Sequence, residues 1–169
     1  MATTLKPITT NAERMKVFGY FKYSKLDNGE VKILGGWIGK NIVKVNIPQL
    51  KNVKGAPKDC NIYVHKKAAE AIKAMFAEFE TAGLLKYLLS WDGSFYPRMV
   101  RGSTKTLSNH TFGTAFDINA RWNPLGVTPA TGTGTVEPLV EIANKHGFFW
   151  GGDYIKRADP MHFEYCITT

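Results

Sequence analysis

Apolar residues recur along the chain at two spacings, which predict helices in some segments and strands in others. The stripe with the clearest helical spacing consists of Ala68, Ala69, Ile72, Met75, Phe76 and Phe79. This spacing places the apolar side chains on one face of a helix, and Gly83 suits a cap at its C-terminus. A second, shorter helix is predicted over residues 137–145, because Pro138 fits a first helical turn and Gly147 follows the end.

Strand-like segments lie on both sides of these helices. Residues 41–47 alternate polar and apolar side chains, and Pro48 ends this predicted strand. Residues 161–167, MHFEYCI, have the residue types of a strand. This order of elements predicts an α+β fold, a single domain in which helices pack on a mainly antiparallel sheet.

Residues 1–40 have a less regular pattern. Residues 1–15 are polar and show no period, which predicts a loose arm or an irregular wrap. Residues 17–23 and 31–34 flank a turn of the Asp-Asn-Gly type, which predicts a hairpin. We therefore expect an N-terminal arm with a hairpin, in one compact unit with a main domain over residues 41–169.

The composition is that of one globular domain with a basic surface. The chain has 169 residues, of which 44% are hydrophobic and 21% are charged, and these fractions are ordinary for such a domain. The net charge of +8 attracts polyanions such as nucleic acid, anionic lipid or the acidic polymers of a bacterial envelope. The lysines are scattered and surround no nucleic-acid motif, so we expect no nucleic-acid partner.

No segment of the sequence predicts export or membrane insertion. Residues 1–21 lack an apolar core of signal-peptide length. No stretch approaches the length of a membrane span. We therefore expect synthesis in a cytoplasm without a signal peptide, and no insertion into a membrane.

The side chains that could bind a metal or take part in catalysis include two cysteines and four histidines. Cys60 and Cys166 form no paired-thiol metal motif and are expected to be buried thiols, although a disulfide between them stays open. His65 and His146 lie beside lysines near predicted helix ends. A structural role explains both, since the end of a helix favours a histidine such as His146.

His110 is followed by a run of small and apolar residues that reaches Asp117. If residues 113–118 are extended, Gly113, Ala115 and Asp117 share one face of a strand. The two small residues then leave room beside Asp117 for a metal and its substrate, although the same pattern is also typical of a small-residue packing surface. The residues that would point into the core are Phe112, Phe116 and Ile118.

A further histidine, His162, follows Asp159 in a D-x-x-H spacing. With His110 and Asp117 it makes a His/Asp/His set, and three such ligands leave one position of a tetrahedral zinc open for water, as in catalytic sites. Asp159 is then suited to accept a proton from that water and to pass it to a leaving amine.

Both segments resemble those of the zinc D-alanyl-D-alanine carboxypeptidase and L-alanyl-D-glutamate endopeptidase family, which has the hedgehog/DD-peptidase fold. The residues that meet the family pattern S-x-H-x-x-G-x-A-x-D are Ser108, His110, Gly113, Ala115 and Asp117. Its later acidic-x-x-H element is met by Asp159 and His162. The phrases GFFWGGD and DPMHFE are similar to those of phage endolysins and related wall peptidases. The resemblance covers residues 41–166.

The resemblance implies a role for each residue of these motifs. The implied zinc (Zn2+) ligands are His110, Asp117 and His162. Asp159 is the implied general base. The family also has an arginine that holds the oxygen on which charge develops in the transition state. Arg98 fits this role best because the phrase G-S-x-x-x-R ends at it, and Arg101 is the alternative.

Four residues near these motifs are predicted to support substrate binding or the ligands. Ser108 is expected to contact substrate or to orient its loop. Arg101 is expected to contact substrate or to bond loop carbonyls, and Trp150 to form a wall of the cleft or to lie in the core. Glu164 is expected to share a strand face with His162 and to support an imidazole.

The predicted function is that of a zinc metallopeptidase that hydrolyses the stem peptides of peptidoglycan, acting as a monomer on the bacterial wall after its release. The endolysin-like phrases favour cleavage between L-alanine and D-glutamate over D-alanyl-D-alanine carboxypeptidase activity. A non-catalytic zinc module that binds the wall or a protein is the alternative from another class, and Asp159 argues against it. A nucleic-acid binder rests on charge alone.

Overall fold

The computed structural model describes residues 5–167, in which short helices and short strands alternate. The helices are α1 (Asn11–Phe18), α2 (Trp37–Asn41), α3 (Ala69–Thr81) and α4 (Glu137–Lys145). The strands are β1 (Lys22–Lys25), β2 (Val31–Leu34), β3 (Ile42–Asn46), β4 (Asn61–His65), β5 (Trp91–Gly93), β6 (Ala115–Ile118), β7 (Phe148–Trp150) and β8 (His162–Tyr165). A short 3-10 turn, Asn109–Phe112, precedes β6.

The strands pair in antiparallel fashion. The largest sheet has the order β5-β6-β8-β7, while β1 pairs with β2 and β3 pairs with β4. The strand predicted over residues 161–167 is β8, which lies beside β6 in the middle of the four-stranded sheet. The predicted α+β class, with helices on mainly antiparallel sheets, is therefore confirmed.

The two longer helices of the main domain are those that the sequence predicted, α3 from its apolar spacing and α4 from Pro138 and Gly147 at its ends. The residues that α3 buries are Ala69, Ile72, Met75, Phe76 and Phe79. Gly83 follows the end of α3 with a φ of 72°, and Gly147 follows α4 with a φ of 84°. Pro138 lies in the first turn of α4, where its missing N–H breaks no helical hydrogen bond.

The main apolar core lies between α3, α4 and one face of the four-stranded sheet. Phe116 of β6 stacks between Trp91 and Phe163, with ring centroids 5.6 and 5.2 Å away. Because successive side chains of a strand alternate between its faces, the aromatic residues on the inner face direct Asp117 and His162 to the opposite one. The core thereby positions two of the predicted ligands.

The N-terminal region differs from its prediction. A capping box starts α1, in which Thr10 and Glu13 each accept a hydrogen bond from the other's backbone N–H. The loose arm expected for residues 1–15 is therefore wrong for the part that forms α1, while residues 1–4 lie outside the described residues. The hairpin is confirmed as β1 and β2, but β1 begins at Lys22 because α1 takes up part of the segment before it.

A second apolar cluster joins this N-terminal region to the main domain. Its buried members are Ile8, Phe18, Phe21, Val31, Ile33, Trp37, Met99, Leu107 and Phe112. Residues 8–37 thus pack against residues 99–112, the segment that leads to His110 and forms the turn around it. The boundary predicted at residue 41 stays a prediction.

Cys60 and Cys166 are both buried and free, so the expected pair of buried thiols is confirmed. Burial raises the pKa of the Cys166 thiol to about 12, which keeps it neutral. Within residues 5–167, no helix combines the length and the apolar character that crossing a bilayer requires.

Candidate metal and catalytic site

Asp117 of β6 and His162 of β8 are brought together by the register of the sheet. They are directly opposed partners on the two antiparallel strands, and side chains in such positions are neighbours. The Nδ1 atom of His162 lies 2.9 Å from the Oδ1 atom of Asp117. Strand pairing therefore brings together two of the three candidate ligands from segments that are far apart in the sequence.

His110 approaches this pair from the 3-10 turn just before β6. The Oγ atom of Ser108 accepts a hydrogen bond from the backbone N–H of His110 at 3.3 Å and so caps the start of the turn. Gly113 ends the turn with a φ of 68°, a left-handed conformation that glycine adopts readily. The turn directs the Nε2 atom of His110 to within 3.2 Å of the Oδ1 atom of Asp117.

The three side chains offer one ligand atom each, and these atoms lie within 4.8 Å of one another. Zinc binds nitrogen and oxygen at about 2.0–2.2 Å, so two ligand atoms of a tetrahedral site lie about 3.3 Å apart. The distances of 3.2 and 2.9 Å from the Asp117 oxygen to the two imidazole nitrogens are close to that value. The three donor atoms are therefore close enough to share one metal ion.

His110 is held in the tautomer that a metal ligand requires. Its Nδ1 atom lies 2.6 Å from the carbonyl oxygen of Ser94, and because a carbonyl only accepts hydrogen bonds, Nδ1 carries the proton and donates it. In the neutral imidazole the Nε2 atom then carries a lone pair, and among the described residues it is one of two buried side-chain polar atoms without a hydrogen-bond partner. A hydrogen bond to a backbone carbonyl from the ring nitrogen that does not bind the metal commonly orients metal-binding histidines.

The charges around Asp117 keep its carboxyl group ionised. Burial by itself raises the pKa of Asp117, but the facing imidazoles of His110 and His162 outweigh burial and hold the pKa well below its ordinary value. The pKa of His162 is raised. Burial alone would lower it, but the hydrogen bond to Asp117 and the negative charge of Asp117 outweigh burial. Asp117 is thus in the form that binds a cation.

Asp159 lies in the loop that leads into β8. Its backbone N–H donates to the carbonyl of Gly151 at 2.8 Å, and its carbonyl accepts from the N–H of His162 at 3.0 Å. Its Oδ1 atom is the other buried atom without a hydrogen-bond partner among the described residues. Burial raises the pKa of Asp159, and the charge of His162 opposes this rise. A raised pKa suits a carboxyl group that exchanges protons during a reaction.

Arg98 is attached to the turn that carries His110. Its N–H donates to the hydroxyl of Thr111 at 2.9 Å, and its carbonyl accepts from the same hydroxyl at 2.7 Å. The guanidinium donates to the carbonyl of Met99 at 3.2 Å. Burial lowers the pKa of Arg98, and the negative charge of Asp117 opposes this. The guanidinium therefore lies within electrostatic reach of the ligand group.

Two cavities meet at this site. The smaller one, of about 240 Å³, reaches His162 and Asp159, and the larger one, of about 730 Å³, reaches His110. The residues that line both cavities are Arg98, Val100, Arg101 and Asp117. The candidate site thus borders both cavities, with Asp117 in the wall of each.

The residues predicted to bind substrate are placed differently from one another. Ser108 is buried at the edge of the smaller cavity, and its hydroxyl caps the His110 turn. Arg101 is exposed, and its carbonyl accepts a hydrogen bond from Arg157 at 3.0 Å. Trp150 lies in the main core, where its Nε1 donates to the carbonyl of Pro160 at 2.8 Å. It lines neither cavity, which agrees with the core position left open by the sequence.

The polar side chains behind the ligands were largely missed from the sequence. Glu164 shares a strand face with His162, as predicted, but it accepts hydrogen bonds from Asn109 and Tyr154 rather than from an imidazole. Arg14 of α1 donates to Asn109 in turn. Strand alternation identifies Glu164, whereas no local pattern connects Arg14 or Tyr154 with the site, because their contacts are long-range.

Residues 101–165 match the family model described as D-alanyl-D-alanine carboxypeptidase. A comparison with curated proteins found no match. The matched range contains the three candidate ligands and Asp159, but neither Arg98 nor the N-terminal region. The match confirms the family resemblance that the two motifs predicted, and it supports a hydrolase of the metallopeptidase type.

Proposed function

We propose that this protein is a zinc-dependent peptidase that cleaves the stem peptides of bacterial peptidoglycan. The observation that carries the proposal is the convergence of His110, Asp117 and His162, together with the buried His110 Nε2 atom, which has no hydrogen-bond partner among the described residues. Two imidazoles and one carboxylate leave a coordination position for water or substrate, as catalytic zinc sites do. The family match over residues 101–165 supports the same chemistry.

Each residue of the site has a role in peptide hydrolysis. Zinc, when held by the three ligands, supplies Lewis acidity towards water and towards the scissile carbonyl. Asp159 takes the proton of the attacking water and delivers it to the nitrogen of the leaving amine. Arg98 donates to the carbonyl oxygen and stabilises the negative charge that develops on it.

The shape of the site supports endopeptidase cleavage between L-alanine and D-glutamate, as in a phage endolysin. An endopeptidase holds peptide on both sides of the scissile bond, whereas a carboxypeptidase accommodates only one residue beyond it. Two neighbouring cavities, of about 240 and 730 Å³, both have Asp117 in their walls. Such an arrangement gives room for a stem peptide in both directions.

Carboxypeptidase activity is the second candidate. The description of the matching family favours it, and the smaller cavity is lined by Arg98, Arg101 and Arg157. Guanidinium groups bind carboxylates well, so these arginines suit the free C-terminus that a carboxypeptidase recognises. They equally suit the carboxylate of a D-glutamate residue next to the scissile bond.

The basic surface supports action on the wall. The net charge of +8 favours association with the anionic polymers of a bacterial envelope, and we propose that a monomer suffices because one chain supplies the whole site. A non-catalytic zinc module is the alternative from another class. It would give no purpose to Asp159, whose Oδ1 atom is buried without a partner.

Mass spectrometry of fragments from defined muropeptides tests the proposal. The zinc-loaded protein is incubated with muropeptides that carry tetrapeptide or pentapeptide stems, with and without a chelator. Endopeptidase activity releases the stem from D-glutamate onward, while carboxypeptidase activity releases only D-alanine. Bound zinc without any released fragment would support the non-catalytic module, and failure to bind zinc would contradict the proposal as a whole.

A further inference from the structure

A buried polar network lies behind the proposed metal site, and its first member comes from the N-terminal helix. Arg14, Asn109 and Glu164 are only 5%, 7% and 2% exposed. The Nε atom of Arg14 donates to the Oδ1 atom of Asn109, and the Nδ2 atom of Asn109 donates to the Oε2 atom of Glu164. The hydroxyl of Tyr154 donates to the other Glu164 oxygen at 2.7 Å.

The network connects the two segments that carry the ligands. Asn109 immediately precedes His110 in the 3-10 turn, and Glu164 lies on the same face of β8 as His162. Arg14 also donates from Nη1 to the carbonyl of Leu107 at 3.3 Å. The guanidinium therefore bonds the His110 segment twice, and the amide of Asn109 bridges this segment to β8.

The orientation of the Asn109 amide follows from the chemistry of its neighbours. A guanidinium only donates hydrogen bonds, so an oxygen must face it, and the Glu164 oxygen on the other side of the amide accepts one. An amide between them must turn its oxygen towards Arg14 and its nitrogen towards Glu164, and this is the arrangement observed. Arg14 thus determines which end of the amide faces β8.

Stability alone is a weak reason for such a network. Removing a guanidinium and a carboxylate from water costs several kcal/mol per ion, and well-packed apolar residues often stabilise a fold equally well. Burial lowers the pKa of Arg14, which the charge of Glu164 opposes. The apolar cluster of Ile8, Phe18 and Phe21 already attaches the N-terminal region to the main domain.

We propose that Arg14 is a positioning residue of the metal site, which acts through Asn109 and Glu164 to hold His110 and His162 at the spacing that one cation requires. The inference rests on the proposed zinc site. It gives the N-terminal region a part in the site, although that region lies outside the range that matches the family. Outer partners of ligands typically change metal affinity by about 10–100-fold when they are removed.

Zinc affinity and the visible spectrum of the cobalt-substituted protein test this inference, because neither depends on turnover. Arg14→Met keeps much of the side-chain volume but removes the donors. We expect it to lower zinc affinity in a chelator competition by about 10–100-fold and to alter the cobalt spectrum. Arg14→Lys should recover part of the affinity, and the exposed Lys16→Met on the same helix should leave both readouts unchanged.

A second variant keeps the inference testable if Arg14→Met does not fold. Asn109→Asp still accepts from Arg14 but has no donor for Glu164, so it should also weaken zinc binding. Wild-type affinity and spectrum in either variant would overturn the role of Arg14 and leave the proposed function intact. Absence of zinc binding by the wild-type protein would instead overturn the proposed function.

Discussion

Gly113 lies against the backbone of His65, and the two residues are joined by a hydrogen bond from the His65 N–H to the Gly113 carbonyl at 2.7 Å. A Cβ atom at Gly113 would come within 2.8 Å of the His65 nitrogen and 2.7 Å of the Ile42 side chain. The close approach and the left-handed φ explain why a glycine ends the turn that carries His110. β4 therefore supports the candidate metal site without supplying a candidate ligand.

Gly113→Ala should destabilise the protein and weaken metal binding. A left-handed conformation costs an L-residue about 1–2 kcal/mol, and the contact with His65 adds to this. We expect a lower melting temperature and a lower zinc affinity, because the turn has to shift. Gly132→Ala is the matched control, since a Cβ atom there meets nothing within 4 Å. Equal stability of the two variants would contradict this account of the turn.

His110→Ala should abolish zinc binding. The loss of a ligand should lower zinc affinity by more than about 100-fold, the upper end of the effect of removing an outer partner. Zinc should raise the melting temperature of the wild-type protein, since a bound ligand stabilises the folded state, and should leave that of His110→Ala unchanged. His146→Ala is the control, because His146 instead contacts Glu78 at 2.7 Å. Wild-type zinc content in His110→Ala would contradict the assignment of His110 as a ligand.

Asp159→Asn should retain zinc and lose turnover. The amide is nearly isosteric but takes up no proton, so we expect kcat to fall by about 10²–10⁴-fold, the usual contribution of general acid–base catalysis. Zinc content and turnover of muropeptides are measured on the same preparation. Asp153→Asn, an exposed change in the preceding segment, should behave as wild type. Parental turnover by Asp159→Asn would show that another group moves the proton.

Arg98→Gln should lower kcat with little effect on zinc content. Loss of a donor aimed at a developing oxyanion reduces kcat by about 10²–10³-fold, or about 2.7–4 kcal/mol. Arg98→Lys keeps the charge and should lose less. Arg101→Gln serves as the comparison, because Arg101 lines the same two cavities but is more exposed. A large loss in Arg101→Gln alone would transfer the role to Arg101.

His65 should make folding stability depend on pH in the acidic range. Burial lowers the pKa of His65 to about 4, while its hydrogen bond to the Phe18 carbonyl opposes this. Because the folded-state pKa lies below the ordinary value of about 6.5, this contribution to stability is fully present above about pH 6.5 and is lost as pH falls through 6.5 towards 4. Denaturant unfolding in the presence of a chelator, which removes metal effects, measures it. His65→Gln should flatten the profile over that range, and an unchanged slope would argue against the effect.

The local pattern of residues predicted much of the fold and the centre of the site. The stripe from Ala68 to Phe79 predicted α3, and the alternation after Gly113 placed Asp117 opposite the core. These predictions succeeded because helix faces and strand faces depend on residues only a few positions apart. The D-x-x-H spacing likewise identified Asp159 and His162 as a pair within one segment.

Residues whose environment depends on distant contacts could not be placed in this way. Trp150 lies in the core rather than at a cavity because of the strands and helices that pack around it. Residues 1–15 were expected to form a loose arm or an irregular wrap, yet Ile8 and the apolar residues that follow α1 form one buried cluster with residues 99–112. No spacing within the sequence indicates that Arg14 reaches Asn109.

The sequence by itself determined the candidate ligands and the candidate base of this protein: two imidazoles and two carboxylates in short motifs whose residue types suit zinc and proton transfer. The tertiary structure alone decided that Asp117 faces His162 across two strands, that the lone pair of the His110 Nε2 atom is directed at them, and that Arg14 lies behind them. The physical reason is that residue type and local backbone preference are encoded within a few positions. Strand register and side-chain packing, in contrast, arise only when distant segments bury their apolar faces together.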